Sequence, residues 1–299
     1  MAIPTETYSM YNGEVTLRYN DGRHRYEVDI PSEDILKKWV PSSTGIVGKL
    51  DKSAALSAWA VNEMEAFVRK YWRPGFSYDE IQINKILTKG KAARFDTSKE
   101  ATDIGTIAHG FFENYIILKT QGVTPLVIED LDDGSNDDPH VLFLPVNENA
   151  RHAINAFLAW EALHEIEYLW SERKVYSRKH HYAGTADAAF RIDGKLVLGD
   201  FKSSKRVYPS YFLQLASYAK ALEEEGHERF NLLWTLRVPK DGKDIEIMDN
   251  KNIEFFDWNT KSNYTMSLSV PQLFKYFKGL RDIYQFDVEA KDLYGDRIK

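Results

Sequence analysis

The sequence predicts an α/β fold, with a mixed central β-sheet flanked by helices and further helices on its N-terminal side. Three observations predict it. Residues 183–201 show the two-residue periodicity of β-strands, in which successive side chains fall on opposite faces. The segment is interrupted by Asp193-Gly194, a dipeptide typical of two-residue hairpin turns. Residues 210–225 show a helical pattern that Gly226 ends. Residues 229–238 are then apolar enough to form another buried strand.

The composition is typical of a globular protein and limits the chemistry. Of the 299 residues, 43% are hydrophobic and 28% charged, which fits one large domain, 1–299, or a core with insertions. The chain has no cysteine, which excludes disulfides, zinc–thiolate sites and iron–sulfur clusters. No apolar run could span a membrane and the N-terminus lacks a signal-peptide pattern, so we expect a cytoplasmic protein without membrane contacts.

The first 121 residues divide into an expected N-terminal hairpin, 1–40, and a helical part, 41–121. Alternating segments at 14–19 and 23–28 flank the turn dipeptide Asp21-Gly22, which predicts the hairpin. The glycines at 45 and 48 do not form a nucleotide-binding loop, because too few residues separate them and Leu50 stands where Ser or Thr is required. We therefore expect no nucleotide cofactor.

Three signals define the helical part. The run Pro41-Ser42-Ser43-Thr44 is a helix-capping signal, and a helix N-terminus also presents free N–H groups to phosphates. An apolar stripe over 53–72 predicts a helix packed in the core. In a further predicted helix, Gly105, His109 and Glu113 recur every four residues and therefore share one face.

The remaining segments surround a predicted core, 151–240. Residues 122–150 contain no Lys or Arg but many acids, so we expect an acidic insertion with a solvated loop between two strands. The segments expected after the core, within 241–299, are a hairpin at 240–243, an edge strand at 252–257 and a helix from Ser269 to about Tyr284.

Two acids on the predicted 183–201 hairpin suggest a metal site. Asp187 and Asp200 lie on its two strands, where they can approach each other on the same face. Their mutual repulsion would raise the pKa of one carboxyl group, and a divalent cation removes that penalty. Oxygen ligands favour Mg²⁺ or Mn²⁺ over zinc.

A lysine beside these acids suits phosphodiester chemistry. Lys202 shares the face of Asp200, whereas Phe201 points into the core and leaves its carbonyl free to face the site. Such a lysine can position or activate a water and offset charge in the transition state. The alternative is an ordinary Asp–Lys pair on a strand, because the Asp-x-Lys spacing by itself is common.

Three short motifs follow one another around this pair: Gly184-Thr-Ala-Asp187, Asp200-Phe-Lys202-Ser203 and Gln214-Leu-Ala-Ser-Tyr218. In this order they resemble the RecB-like branch of the PD-(D/E)XK nuclease superfamily, which includes viral exonucleases and the mitochondrial genome maintenance exonuclease. The resemblance covers roughly 172–222, with looser matches from about residue 20, and Ala186 replaces the proline of the superfamily's name. It implies a restriction-endonuclease-like core.

The resemblance implies an Mg²⁺- or Mn²⁺-dependent deoxyribonuclease, most often an exonuclease, that acts in DNA recombination, repair or the processing of replication ends. It assigns Lys202 to the attacking water, Gln214 and Tyr218 to orienting the lysine or the phosphate, and Glu172 to the vicinity of the metal. The implied metal ligands are His109, Asp187, Asp200 and the Phe201 carbonyl. The candidates for DNA contact are Ser42, Ser43, Thr44, Ser203, Lys205 and Arg206.

The charge distribution supports a polyanionic substrate. Residues 172–206 carry nine Lys or Arg and four Asp or Glu, although the whole chain has a net charge of −6. Lys89, Lys91 and Arg94 form another basic group, which either lies over the DNA path or is simply solvated.

Two other functions stay open. One is a structure- or sequence-selective DNA endonuclease on the same fold, and the other is a DNA-binding protein with an inactive metal site. The resemblance further implies a bacterial or virus-infected (phage) setting, with a recombinase or single-strand annealing protein as a partner.

Overall fold

The structure is a computed structural model that describes residues 5–20, 22, 25–33, 39–50, 53–129, 138–257 and 260–294. Within these residues the fold is mixed α/β, with six α-helices and four β-sheets, so the predicted fold class is confirmed at that level. The expected acidic loop at 130–137 and Asp21 of the first turn lie outside the described residues.

The helices are α1 (Ser43–Val47), α2 (Ser53–Tyr71), α3 (Glu80–Thr120), α4 (Glu148–Glu161), α5 (Pro209–Glu225) and α6 (Val270–Tyr294). The strands are β1 (Thr5–Met10), β2 (Val15–Asn20), β3 (Arg25–Asp29), β4 (Trp39–Val40), β5 (Leu126–Glu129), β6 (Val141–Leu144), β7 (Ile166–Ser177), β8 (Tyr182–Ile192), β9 (Lys195–Lys202), β10 (Leu232–Arg237), β11 (Glu246–Asp249), β12 (Ile253–Asp257) and β13 (Ser262–Met266). A single 3₁₀ turn, Tyr11–Gly13, joins β1 to β2.

The central sheet has the strand order β11-β10-β9-β8-β7. β7, β8 and β9 are antiparallel neighbours, whereas β10 runs parallel to β9 because α5 connects them. The predicted hairpin turn joins β8 to β9, and Asp193 and Gly194 both adopt positive φ, at 50° and 70°. This turn sets the register that pairs Ile192 with Lys195 and carries Asp187 alongside the end of β9.

Helices cover both faces of this sheet, and each face has its own hydrophobic core. On one face, Phe112 of α3 and Phe157 of α4 pack against Phe190 and Phe201. On the other face, α5 and α6 pack against apolar residues of β8 and β9 such as Leu198. The prediction that the Phe201 ring points into the core is confirmed, because the residue is buried.

The N-terminal hairpin is confirmed as β2 and β3, but it belongs to a larger sheet with the order β1-β2-β3-β4. Apolar side chains of this sheet, including Val15, Leu17 and Val28, pack with Tyr176 and Ala183 of the central sheet. The N-terminal sheet therefore stands next to the strands that carry the predicted acids.

Two predictions about the periphery are wrong. The apolar stripe of α2 does not pack in the core, since none of its described side chains is buried and Leu56 is 56% exposed. Instead α2 packs along the first half of α3, which continues without a break to Thr120. Residues 252–257 do not extend the central sheet, because β12 pairs with β13 in a separate two-stranded sheet. The last helix runs ten residues beyond Tyr284.

Gly184 permits the closest contact between β8 and α5. A Cβ atom there would lie 2.4 Å from Cε1 of the buried Tyr218. We expect Gly184→Ala to lower the free energy of unfolding by about 1–3 kcal/mol, because a rigid, fully packed ring has no space to move away.

Gly279→Ala is the matched control for urea unfolding of this variant. A Cβ at Gly279, within α6, meets no atom within 4 Å. The alanine should raise the free energy of unfolding by about 0.5–1 kcal/mol through its higher helix propensity. Equal stability of the Gly184→Ala and wild-type proteins would contradict the packing described for β8 and α5.

Candidate functional site

A cleft of about 820 Å³ opens between the central sheet, the N-terminal sheet and helices α1, α3 and α5. Gly105, His109 and Glu113 line it from one face of α3, as their spacing predicts. Glu172 of β7 and Asp187 of β8 lie in the same cleft. The predicted helix face and the predicted acidic strands therefore meet at one place.

Three side chains in this cleft form a group that could hold a metal ion. One ligand atom from each of His109, Glu172 and Asp187 lies within 4.8 Å of the others. His109 Nδ1 is 3.8 Å from Asp187 Oδ2. An imidazole nitrogen with two carboxylate oxygens is a donor set that Mn²⁺ accepts, and the oxygens also suit Mg²⁺.

The backbone of the sheet and a close helix approach hold these ligands in place. Asp187 Oδ2 accepts a hydrogen bond of 2.8 Å from the Phe201 N–H, which ties the carboxylate of β8 to β9. α3 approaches closely at Gly105, where a Cβ atom would come within 3.1 Å of Ser203 Oγ. This approach brings His109 over the end of β9, next to Phe201.

His109 carries a neutral imidazole, the form that binds metals. Burial and the nearby Lys202 ammonium lower the pKa of His109 to about 4, although Asp200 and a hydrogen bond with the Phe201 backbone act in the opposite direction. The Phe201 carbonyl, expected to face a metal, is thus a hydrogen-bond partner of the histidine. Such a contact orients a ligating imidazole.

Glu172 reaches the cluster through an unusual backbone conformation. Its φ is 46°, in the left-handed region that is costly for a non-glycine residue, and β7 shifts register at Tyr168/Trp170. The neighbouring Ser171 Oγ donates a 3.0 Å hydrogen bond to the Asp187 carbonyl. Burial and the charge of Asp187 raise the pKa of Glu172 to about 8.

Asp200 and Lys202 form a buried ion pair beside the cluster. The ammonium of Lys202 lies 2.7 Å from Asp200 Oδ1, to which it donates a hydrogen bond. It lies 2.6 Å from Oδ2 as well, but outside hydrogen-bond alignment, so this buried oxygen keeps unsatisfied lone pairs. Burial raises the pKa of Asp200 to about 6, with Lys202 opposing the shift and Asp187 adding to it.

Lys202 stays protonated in this setting. Burial acts to lower its pKa, but the carboxylates of Asp200 and Asp187 outweigh burial and the pKa is raised. The ammonium also lies 5.3 Å from the ring centroid of Tyr211. Tyr211 was not predicted as a site residue, although it precedes Gln214 by one helical turn and its position on that helix is a signal that could have identified it.

Gln214 and Tyr218 do not contact Lys202 as expected. The Gln214 amide donates hydrogen bonds to Tyr218 Oη at 2.6 Å and to Thr44 Oγ1 at 3.1 Å. Tyr218 is buried against Gly184, and both residues of the pair line the cleft. They therefore join α5 to the start of α1, and their expected role in orienting the lysine or the phosphate stays a prediction.

The serines and threonine around α1 have different environments. Ser42 caps α1 by accepting a 3.0 Å hydrogen bond from Gly45 N, and Ser42 and Thr44 line the cleft. Ser43 is buried, where it accepts a 2.9 Å hydrogen bond from Ser217 Oγ and donates one to the Ala183 carbonyl. Ser43 is therefore not available for contact with a nucleic acid.

The candidates after β9 also separate into two groups. Ser203 lines the cleft. Lys205 and Arg206 are exposed outside the cleft lining, and the Arg206 guanidinium stacks 4.9 Å from the Tyr208 ring centroid.

The N-terminal sheet contributes a wall of the cleft that the sequence analysis missed. Tyr26 Oη lies 2.8 Å from Thr185 Oγ1, which links β3 to β8. Lys174 stands 5.0 Å from the Tyr19 ring centroid and lines the same cleft. No local pattern reports these contacts, because the partners are about 150 residues apart in the chain.

The residues of the cluster fit a divalent cation by their chemistry. Glu172, Asp187 and Asp200 are three close carboxyl groups with raised pKa values, and burial is the main cause of each shift. The neutral His109 and the unsatisfied Asp200 oxygen offer further lone pairs. A cation would satisfy these atoms and offset the carboxylate repulsion.

Comparison with known proteins does not extend this description. No protein-family model matches the chain, and no curated protein matches it. Among the described residues, no helix is both long and apolar enough to cross a membrane.

The raised carboxyl pKa values predict how stability depends on pH. Between about pH 6.5 and pH 8, folded Glu172 holds a proton that it releases on unfolding, so the free energy of unfolding should fall as the pH rises. His109 makes the free energy of unfolding rise with pH instead, because its pKa is lower in the folded protein than the ordinary value of 6.5. This contribution acts only below about pH 6.5, where the unfolded chain binds the proton.

Thermal unfolding in EDTA, with Glu172→Gln as the comparison, measures this effect. The stability of wild type relative to the glutamine variant should decrease across that pH window. Mn²⁺ or Mg²⁺ should raise the wild-type Tm more at pH 8 than at pH 6.5, because the cation competes with the proton. Parallel curves for both proteins, with and without metal, would show that Glu172 does not titrate in the cluster.

Proposed function

We propose that this protein is a metal-dependent nuclease that hydrolyses phosphodiester bonds of DNA, working as an exonuclease. The observation that carries the proposal is the His109–Glu172–Asp187 group, which lines the cleft and lies beside the Asp200–Lys202 pair. Acids that could hold a divalent cation, with a protonated lysine next to them, suit attack on a phosphodiester.

The arrangement of the central sheet supports a restriction-endonuclease-like core. The three motifs that resemble the RecB-like nucleases fall on β8, on β9 and on α5. The antiparallel β7-β8-β9 unit followed by a helix and a parallel strand brings these motifs around one cleft. The resemblance and the geometry therefore point to the same region of the chain.

His109, Glu172 and Asp187 would hold the cation, and Asp200 would add its free oxygen. When bound, a divalent cation supplies Lewis acidity and charge compensation for the phosphate oxygens. The strained backbone of Glu172 supports this assignment, since costly φ values persist mainly where function needs them.

Lys202 would act as a proton-bearing cation rather than as a base. Its raised pKa keeps the proton on Nζ at neutral pH, so the ammonium can donate a hydrogen bond to a phosphate oxygen as negative charge grows there. Asp200 fixes the position of that ammonium through the 2.7 Å hydrogen bond.

Uncharged polar groups of the cleft would hold the nucleic-acid backbone. Ser42, Thr44 and Gln214 line the same cleft as the acids, and Ser203 lies near Gly105. Hydroxyl and amide groups of this kind bind phosphate oxygens without adding charge.

The charge of the cleft explains why metal and substrate would bind together. Four of its lining residues are acids, namely Glu6, Glu113, Glu172 and Asp187, and one, Lys174, is a cation. A polyanion is repelled by this lining until a divalent cation compensates it. A recombinase or annealing protein as partner and a cytoplasmic location stay predictions of the resemblance and of the sequence.

The test is digestion of two DNA substrates in the presence of Mg²⁺, Mn²⁺ or EDTA. One is linear DNA labelled separately at its 5′ and 3′ ends, and the other is a closed circle. We expect metal-dependent loss of linear DNA with the circle spared. Lys202→Met should lower the rate by at least about 10²-fold, as for loss of a transition-state donor, while DNA affinity in Ca²⁺ stays nearly unchanged.

Lys195→Met is the matched control, because Lys195 begins the same strand but is exposed. It should cleave at the wild-type rate. Nicking of the circle would favour the endonuclease alternative. Absence of cleavage by the wild type under each metal would overturn the nuclease proposal and favour a DNA-binding protein.

A further inference from the structure

Helix α2 and the first half of α3 form a helical arm, residues 53–100, whose main packing is between its own two helices. They come close at Gly90, where a Cβ atom would lie 3.3 Å from Met64. Large apolar side chains are nevertheless left open to solvent on the arm, including Trp72 at 46%, Phe76 at 67% and Phe95 at 62% exposure. The arm therefore has more apolar surface than its own packing uses.

The distal part of the arm is basic in an acidic protein. Between residues 66 and 95 the chain carries seven Lys or Arg and two Asp or Glu, whereas the whole chain has a net charge of −6. Among the described residues, Lys85, Lys89 and Lys91 make no ion pair. Arg94 instead lies 4.6 Å from the Phe95 ring centroid. The distal part of the arm thus carries both cations and exposed aromatic rings.

A groove of about 380 Å³ between the two helices brings together two of these lysines and two other aromatic rings. Phe67 and Tyr71 form an aromatic platform in it, with ring centroids 4.5 Å apart. Lys85 and Lys89 stand one helical turn apart on the α3 side, and Asp96 is the acid of the lining. Aromatic rings that accept bases, beside lysines that accept phosphates, are the usual features of single-strand binding surfaces.

The groove is connected to the cleft by one uninterrupted helix. α3 lines the cleft from Ala101 to Glu113 and lines the groove at Lys85 and Lys89. Lys89 precedes His109 by 20 residues, which is about 30 Å along an α-helix. A nucleic-acid strand that occupies both sites would have to cover this distance and pass around to another side of α3.

We propose that the arm groove binds single-stranded nucleic acid, with bases stacked on Tyr71 and phosphates paired with Lys85 and Lys89. A single strand fits better than a duplex, because paired bases do not expose their faces to an aromatic ring. The inference rests on the proposed function in one respect, namely that the bound strand continues into the cleft as its substrate. Binding to the arm is measurable without cleavage.

Fluorescence anisotropy in EDTA, with a labelled single strand of about 25 nucleotides and a duplex of the same length, measures arm binding directly. Lys85→Ala/Lys89→Ala should weaken single-strand binding about tenfold or more and reduce the slope of log affinity against log salt by about 1.4, as for two lost phosphate contacts. Tyr71→Ala should also weaken binding, whereas Tyr71→Phe should retain wild-type affinity because the ring remains.

Lys195→Ala/Lys251→Ala removes the same charge from two exposed lysines outside the arm and should leave affinity unchanged. Equal losses in this control and in the Lys85/Lys89 variant would overturn the proposal, since net charge would then explain both. Unchanged affinity in the arm variants would also overturn it. A change in oligomeric state of the Tyr71→Ala variant, measured by light scattering, would overturn the proposal too, because the groove would then be a protein interface.

Cleavage separates this inference from the nuclease proposal. With Mg²⁺ or Mn²⁺, the arm variants should degrade the long single strand more slowly, yet cleave a tetranucleotide at the wild-type rate because it cannot span the distance to the groove. If the wild type binds through the arm but cleaves neither substrate, the nuclease proposal fails and the arm inference stands. If cleavage occurs and the arm variants match wild type on both substrates, the arm inference fails instead.

Discussion

Repulsion among closely spaced carboxyl groups, one of them buried and two half-buried, is the constraint on which the rest of this structure depends. Glu172, Asp187 and Asp200 come together at one place on the central sheet, where burial raises the pKa of each. Charge that is buried without compensation is strongly unfavourable. The Lys202 ammonium and the Phe201 N–H offset part of this cost, and the remaining lone pairs make the cluster a place for a cation.

The surrounding elements hold this unfavourable arrangement together. The tight turn at Asp193-Gly194 brings β8 and β9 into register, and Gly105 lets α3 approach the end of β9. A separate chain of contacts joins β8 to α5 and α1 through the Tyr218 ring packed on Gly184, the Gln214 amide and the Thr44 hydroxyl. Rigid elements on several sides can therefore keep the acids close although they repel each other.

The distribution of charge separates two tasks. The charged residues that line the cleft are mainly acids, so it would attract a polyanion only together with a cation. Within the part of the chain that the structure describes, Lys85 and Lys89 of the arm make no ion pair. They and the exposed rings of the arm lie away from the acids of the cleft, so they cannot neutralise the proposed metal ligands. Under the two proposals, the cleft performs the chemistry and the arm retains the strand, and α3 connects them as one rigid helix.

The sequence by itself determined the local features of this protein. Four local features depend on residues a few positions apart, and each is found as predicted: the 183–201 hairpin, a helix cap within the run 41–44, the end of α5 at Gly226, and the shared face of Gly105, His109 and Glu113. Such signals act through backbone conformation and helical or strand periodicity, which neighbouring residues set.

Only the tertiary structure decided which of these elements meet. An apolar stripe looks the same whether a helix enters the core or pairs with one other helix, so α2 was assigned to the wrong environment. The capping run could not separate the buried Ser43 from the cleft-lining Ser42 and Thr44. The spacing of Gln214 and Tyr218 gave their common face but not their partner, because Thr44 is 170 residues away. Contacts over such separations depend on the packing of the whole chain, which local patterns do not contain.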